Sequence, residues 1–66
     1  MKFVAKSDTW QNRHFVIEPG ESVGWYLYVF EGERCVQDFM QDSYKAAVQQ
    51  ALIKFGIAEA SWEPAE

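Results

Sequence analysis

Residues 25–57, WYLYVFEGERCVQDFMQDSYKAAVQQALIKFGI, decide the fold: they read as a strand, a tight turn, a second strand and one amphipathic helix in direct succession. From Tyr44 the apolar side chains recur at Ala47, Val48, Ala51, Leu52 and Phe55, the spacing of a single helical face, while Lys45, Gln49, Gln50 and Lys54 point elsewhere. Asp42 or Ser43 can cap the first turn by accepting a hydrogen bond from an amide that has no partner within the helix. Gly56 supplies the stop through the left-handed conformation, and Ile57 is expected to fold back on Leu52. Burying Tyr44, Val48, Leu52 and Phe55 contributes about 6–10 kcal/mol as an upper bound, most of it offset by the entropy of ordering the chain.

The hairpin before the helix is marked by Trp25–Phe30, a run of aromatic and aliphatic residues with no polar face. A three-residue loop, Phe30-Glu31-Gly32, with Gly32 in the left-handed position of a bulged turn, suits the break because Glu31 resists a positive φ. That loop predicts Leu27 opposite Cys35 and Tyr28 opposite Arg34. One side then carries Trp25, Leu27, Val29, Cys35, Gln37 and Phe39, and reads as core. The other carries Tyr26, Tyr28, Phe30, Arg34, Val36, Asp38 and Met40, tyrosines mixed with charges, the composition of a partly wet recognition surface.

Upstream, Phe3–Ala5 is a short candidate strand, Ser7–Asn12 a polar turn containing Trp10, and Arg13–Glu18 a strand with Phe15 and Ile17 on one side and His14 and Val16 on the other. Pro19-Gly20 predicts a type II turn. After the helix, Ala58–Ser61 is a weak helix or turn, and Trp62 is placed to lie back over the sheet or helix end before Pro64. The expected fold is α+β: a three- to four-stranded antiparallel sheet with one C-terminal helix packed on one face. Residues 1–66 form a single domain with an ordered core over about 2–57 and a short C-terminal tail.

One helix covers one face of such a sheet, yet the 25–30 strand is apolar on both. The tyrosine side is sheltered by the chain's own Trp10, Trp62 or N-terminal strand, by a second copy, or by a partner protein.

Sixty-six residues sit near the lower limit for a core without staples, so association would help. A single cysteine excludes an intramolecular disulfide and a cysteine-based zinc site, and fits a reducing compartment. MKFVAKSD holds no apolar run long enough for a signal peptide, and no stretch spans a membrane, so a cytoplasmic protein is expected. A formal charge of −4 with scattered Lys and Arg argues against a phosphate-binding surface. Cys35, His14 and Asp38 are the ingredients of a thiol nucleophile, its base and an orienter, but strand order puts His14 and Cys35 about 9–10 Å apart, too far for proton transfer. One His and one Cys are too few for zinc, and Asp38, Gln41 and Asp42 lack the pattern of a calcium loop. No enzymatic activity and no cofactor are expected.

The run WYLYVF, then Asp38, Gln41-Asp42-Ser43, Ala47, Ala51, Gly56-Ile57 and Trp62 resembles a group of short bacterial proteins of unknown function with a YLYVF…D…QD(S/T)…A…A…G(I/V)…W layout, over about two thirds of the chain. The resemblance implies a fold and no catalytic residue. The strand, Asp-Ser cap and alanine-spaced helix also look like the partial RNase H-like layout of HicB-type antitoxins, although Val36–Met40 stands where that family has a glycine-rich segment. The reading these features favour is a small bacterial protein-interaction domain that docks, on itself or a partner, through Tyr26, Tyr28 and Phe30, with Arg34 and Asp38 as orienting charges. The alternative is a single-stranded nucleic-acid or small-ligand binder on the same face.

Overall fold

Three consecutive residues of one strand, Phe15, Val16 and Ile17, are all buried, the mark of a strand in the middle of a sheet. In the computed structural model, which describes residues 1–7 and 12–65, that strand is β2 (Arg13–Pro19). It is flanked by β1 (Phe3–Lys6) and β3 (Trp25–Glu31), with β4 (Arg34–Gln41) and β5 (Glu63–Pro64) at the edges. All pairs are antiparallel, in the order β4-β3-β2-β1-β5. The helix α1 (Tyr44–Phe55) crosses β2, β3 and β4 on one face. The fold is α+β as expected, with five strands rather than three or four.

The fifth strand comes from the residues after the helix. A short 3₁₀ turn, Glu59–Ser61, brings Trp62 into the core, and Glu63 and Pro64 then pair with Val4 and Phe3. Ala65 N–H donates to the Lys2 carbonyl at 2.8 Å. Pro64 lacks an N–H, so it suits an edge and blunts it. The polar turn expected around Trp10 lies largely outside the described residues.

The core sits between helix and sheet, built on Phe15, Ile17, Leu27 and Val29, all fully buried. Ala47 and Ala51 face them with no exposure. Small side chains there let the helix axis approach closely, and the gaps at the margins are filled by rings: Tyr44 packs on Phe3 and Trp25, and Phe55 on Phe15 and Phe39. Ser43 is the cap, accepting from Ala46 N–H at 3.1 Å. Gly56 ends the helix at φ 72°, its N–H donating to Leu52 and that of Ile57 to Ala51. Leu52 departs from expectation: it is 43 % exposed, while Ile57 is buried at 2 %. Leu52 lies about 80° around the helix from Tyr44 at 100° per residue, outside the narrow stripe that Ala47 and Ala51 press onto the sheet.

Two turns also differ. Gly20 has no positive φ, so Pro19-Gly20 is not a type II turn; Pro19 remains in β2 opposite Trp25, and the 20–24 loop closes through Gly20 N–H to the Gly24 carbonyl at 2.9 Å, with Gly24 at φ 86°. The β3–β4 loop has two residues. Glu31 pairs with Arg34, leaving Gly32 (φ 63°) and Glu33 at the tip. Glycine at the first central position is what a type II′ hairpin needs. The irregularity falls one pair later, where Phe30 pairs with Cys35 but Val29 with Gln37, leaving Val36 as the extra residue of a bulge.

Candidate docking face

The bulge sorts the hairpin's side chains differently from the expected register. Leu27 pairs with Phe39 and Tyr28 with Asp38, in place of Cys35 and Arg34. Cys35, expected on the core side, is opposite Phe30 and lines a groove with Tyr28, Phe30 and Val16. Arg34, expected beside the tyrosines, falls opposite Glu31, one step out of phase with them. Tyr26, Tyr28, Phe30, Asp38 and Met40 keep the expected side.

Register across the sheet brings this side into three rungs. Lys6, His14, Phe30 and Cys35 share one; Glu63, Val4, Val16, Tyr28 and Asp38 the next; Glu18, Tyr26 and Met40 the third. Lys2 follows Val4 in the same alternation and reaches the groove that Glu18 and Tyr28 line. Alternation alone could have found the β1 members, because Phe3 and Ala5 read as core and leave Lys2, Val4 and Lys6 outward.

The aromatic rings form a continuous strip. His14 stacks on Phe30 with centroids 4.9 Å apart and planes 5° from parallel. Tyr26 and Tyr28 stack at 5.6 Å, and Tyr28 meets Phe30 at 6.3 Å. The three β3 rings are half-buried by one another, and Val16 is buried at 7 % exposure beneath its taller neighbours. No helix or turn among the described residues lies over them: α1 and the 3₁₀ turn are on the opposite side, and Trp62 belongs to the helix-side core. At one rim the 20–24 loop rises beside the strip, where Glu21, Ser22 and Val23 line a groove with Tyr26, Tyr28 and Met40. Val23 and Met40 extend the apolar area outward, at 73 % and 55 % exposure.

Electrostatically the strip is bordered by carboxylates. The Tyr28 phenol titrates above its ordinary value, chiefly because burial disfavours the phenolate and then because Glu18 and, more weakly, Asp38 stand nearby. At neutral pH Tyr28 is therefore a neutral donor, suited to hydrogen-bond a carbonyl on a docked surface.

The candidate chemistry is not assembled. His14 and Cys35 share a rung but sit two strands apart with Phe30 between them, about 9–10 Å at the usual strand spacing. Cys35 Sγ is exposed and within 3.4 Å of the Gln37 carbonyl. Among the described residues no three His, Cys, Asp or Glu side chains converge as a metal site, and no helix is long and apolar enough to cross a membrane. A second concavity, about 420 Å³, flanks the helix between Tyr44, Lys45, Val48, Glu59 and Ala60. Burial and the nearby Glu59 raise the Tyr44 pKa there. No protein-family model, curated protein or solved structure matches the chain.

Proposed function

We propose that this chain is a small non-enzymatic protein-interaction domain that docks through the sheet face opposite its helix, with Tyr26, Tyr28 and Phe30 as anchors. The observation that supports this reading is an aromatic strip that no helix or turn among the described residues covers, on a sheet whose other face packs against α1 and Trp62. Tyrosines with an apolar body and a polar tip suit a surface that must be stable in water and still bury well. Asp38, exposed on the edge strand, is the orienting charge. Arg34 drops out of that role because its register pairs it with Glu31.

The same strip resembles a base-stacking platform, but Glu18 and Asp38 stand on it, and a backbone of phosphates would meet both. The test uses amide NMR on dilute protein with two probes. Phenol, a mimic of a partner's tyrosine, is expected to shift amides of Val16, Tyr26, Tyr28 and Phe30, and a ten-nucleotide strand of thymidines at low salt is expected to shift none. Oligonucleotide shifts on those residues that vanish steeply with salt would replace this reading with nucleic-acid binding. Phenol shifts confined to other surfaces would remove the docking face altogether.

A further inference from the structure

The charges on the aromatic face are unevenly spread. Lys2 and Lys6 lie toward β1, each beside a carboxylate: Lys6 lines one hollow with Glu63, and Lys2 lines another with Glu18. Glu63 pairs with Val4 and Glu18 with Tyr26, which puts both on this face together with Asp38 on β4 and Glu21 at the rim. Two lysines thus stand against four carboxylates, and the surplus of negative charge falls around Tyr26 and Tyr28, away from β1.

That end of the face is a groove. Tyr26, Tyr28 and Met40 line one side, and Glu21, Ser22 and Val23 of the 20–24 loop the other, around about 440 Å³. Asp38 stands across the β3–β4 ladder from Tyr28. Among the described residues no lysine or arginine lines this groove, and neither Glu21 nor Asp38 is held in an ion pair. Glu18 and Asp38 nonetheless act on the Tyr28 phenol and help to raise its pKa, so their charge is felt at the rings. Aromatic rings bordered by unpaired carboxylates, with no cation in the groove, are complementary to a positive group that can also stack.

Proteins offer two such groups. A lysine ammonium is compact and strongly hydrated, whereas the arginine guanidinium is flat and weakly hydrated, lies on a tyrosine ring and still turns its N–H groups toward carboxylates. Phosphates are repelled by the same carboxylates, and a second copy would bring its own acidic groove against this one. We propose that the partner docking on this face presents an arginine side chain, which enters the groove between the 20–24 loop and β3 and stacks on Tyr26 and Tyr28, with Glu21 and Asp38 as its counter-charges. The proposal rests on the docking reading above and adds the chemistry of the partner. Val23 and Met40, both exposed at the margin, take the apolar residues beside that arginine.

The experiment is amide NMR on the full chain, titrated with a blocked peptide, Gly-Leu-Arg-Leu-Gly, and with the same peptide carrying citrulline or lysine in place of arginine. Citrulline keeps the planar shape and removes the charge. The arginine peptide is expected to shift amides of Val23, Tyr26 and Tyr28 and to bind about tenfold more tightly than the citrulline peptide, with lysine between them. Glu21 and Asp38 are exposed, so Glu21→Gln with Asp38→Asn should fold normally by far-UV circular dichroism and remove most of that difference. Equal affinity for arginine and citrulline, or a preference that the double substitution leaves intact, would overturn the proposal, and lysine binding as tightly as arginine would overturn the choice of guanidinium. Phenol shifts on the strip would keep the docking face in either case; if neither phenol nor peptide shifts the strip, the face itself is lost. Strip amides that move on dilution of the protein alone would give the face to a second copy and overturn the arginine as its occupant.

Discussion

Phe30 stands directly across the β3–β4 ladder from Cys35, while its neighbour Val29 stands across from Gln37. Val36 is the residue this leaves over. Because alternation has a period of two, one extra residue inverts the side of everything beyond it. The bulge therefore lets Phe30 and Cys35 share the aromatic face near the turn while Gln37, Phe39 and Gln41 still fall on the helix side farther along. Gln41 uses that placement to donate to the Gln50 side chain on α1, at 2.6 Å.

Deleting Val36 provides a direct test. With it gone, Cys35 is followed at once by Gln37, and both halves of the ladder keep their partners in one uninterrupted register. The deletion variant is expected to fold with unchanged far-UV circular dichroism and a cooperative thermal transition. In a hairpin without a bulge, the same deletion would turn Gln37–Gln41 to the wrong face and expose Phe39. Loss of cooperative unfolding would therefore show that Val36 is paired.

Much of this was legible in the sequence, and the parts that were not have a common cause. Period-3.6 recurrence from Tyr44 to Phe55 and the Ser43 and Gly56 caps are local signals, and they gave the helix its bounds. The strand Trp25–Glu31 likewise announced itself by composition. Register did not, because Gly32 is compatible with both a two-residue and a three-residue loop, and only cross-strand packing of Leu27 on Phe39 decides between them. β5 was hidden because Glu63-Pro64 has no strand propensity of its own and is held by β1 and by Trp62. On the candidate face, Tyr26, Tyr28, Phe30 and Asp38 were found from the hairpin alone. That Lys2, Glu18 and Val16 share this face with them needed the pairing of β1, β2 and β3.

The buried stripe of α1 makes a second prediction that reverses a sequence expectation. Leu52 has the helical spacing of a core residue but is 43 % exposed, whereas Ala51 is fully buried. Leu52→Ala should change unfolding free energy by about 0.5 kcal/mol or less, the range for surface substitutions. Ala51→Leu must force new methylenes into a closed interface and should cost about 1–3 kcal/mol. Urea titration of the two variants distinguishes them, and a loss of about 2–5 kcal/mol in Leu52→Ala would mean that the helix is rotated toward Leu52.

The tyrosine environments predict how stability responds to alkali. Tyr28 and Tyr44 both titrate above 10.0 in the folded chain, Tyr28 through burial and then Glu18, Tyr44 through burial and then Glu59. When the chain unfolds the phenols return to ordinary values, so near and above pH 10 the unfolded state releases protons that the folded state retains. The native state then binds more protons, and the slope of unfolding free energy against pH is negative. The stabilisation is complete below pH of about 10 and declines as pH rises through the folded pKa values. Thermal midpoints should thus be flat at neutral pH and fall above about 10, together with the rise of tyrosinate absorbance. Lysines titrate in the same range, so the informative comparison is Tyr28→Phe, which cannot ionise and should fall less steeply than the wild type. Parallel alkaline profiles for the two would mean that Tyr28 titrates alike in folded and unfolded chains, and that the carboxylates beside it do not hold its proton in place.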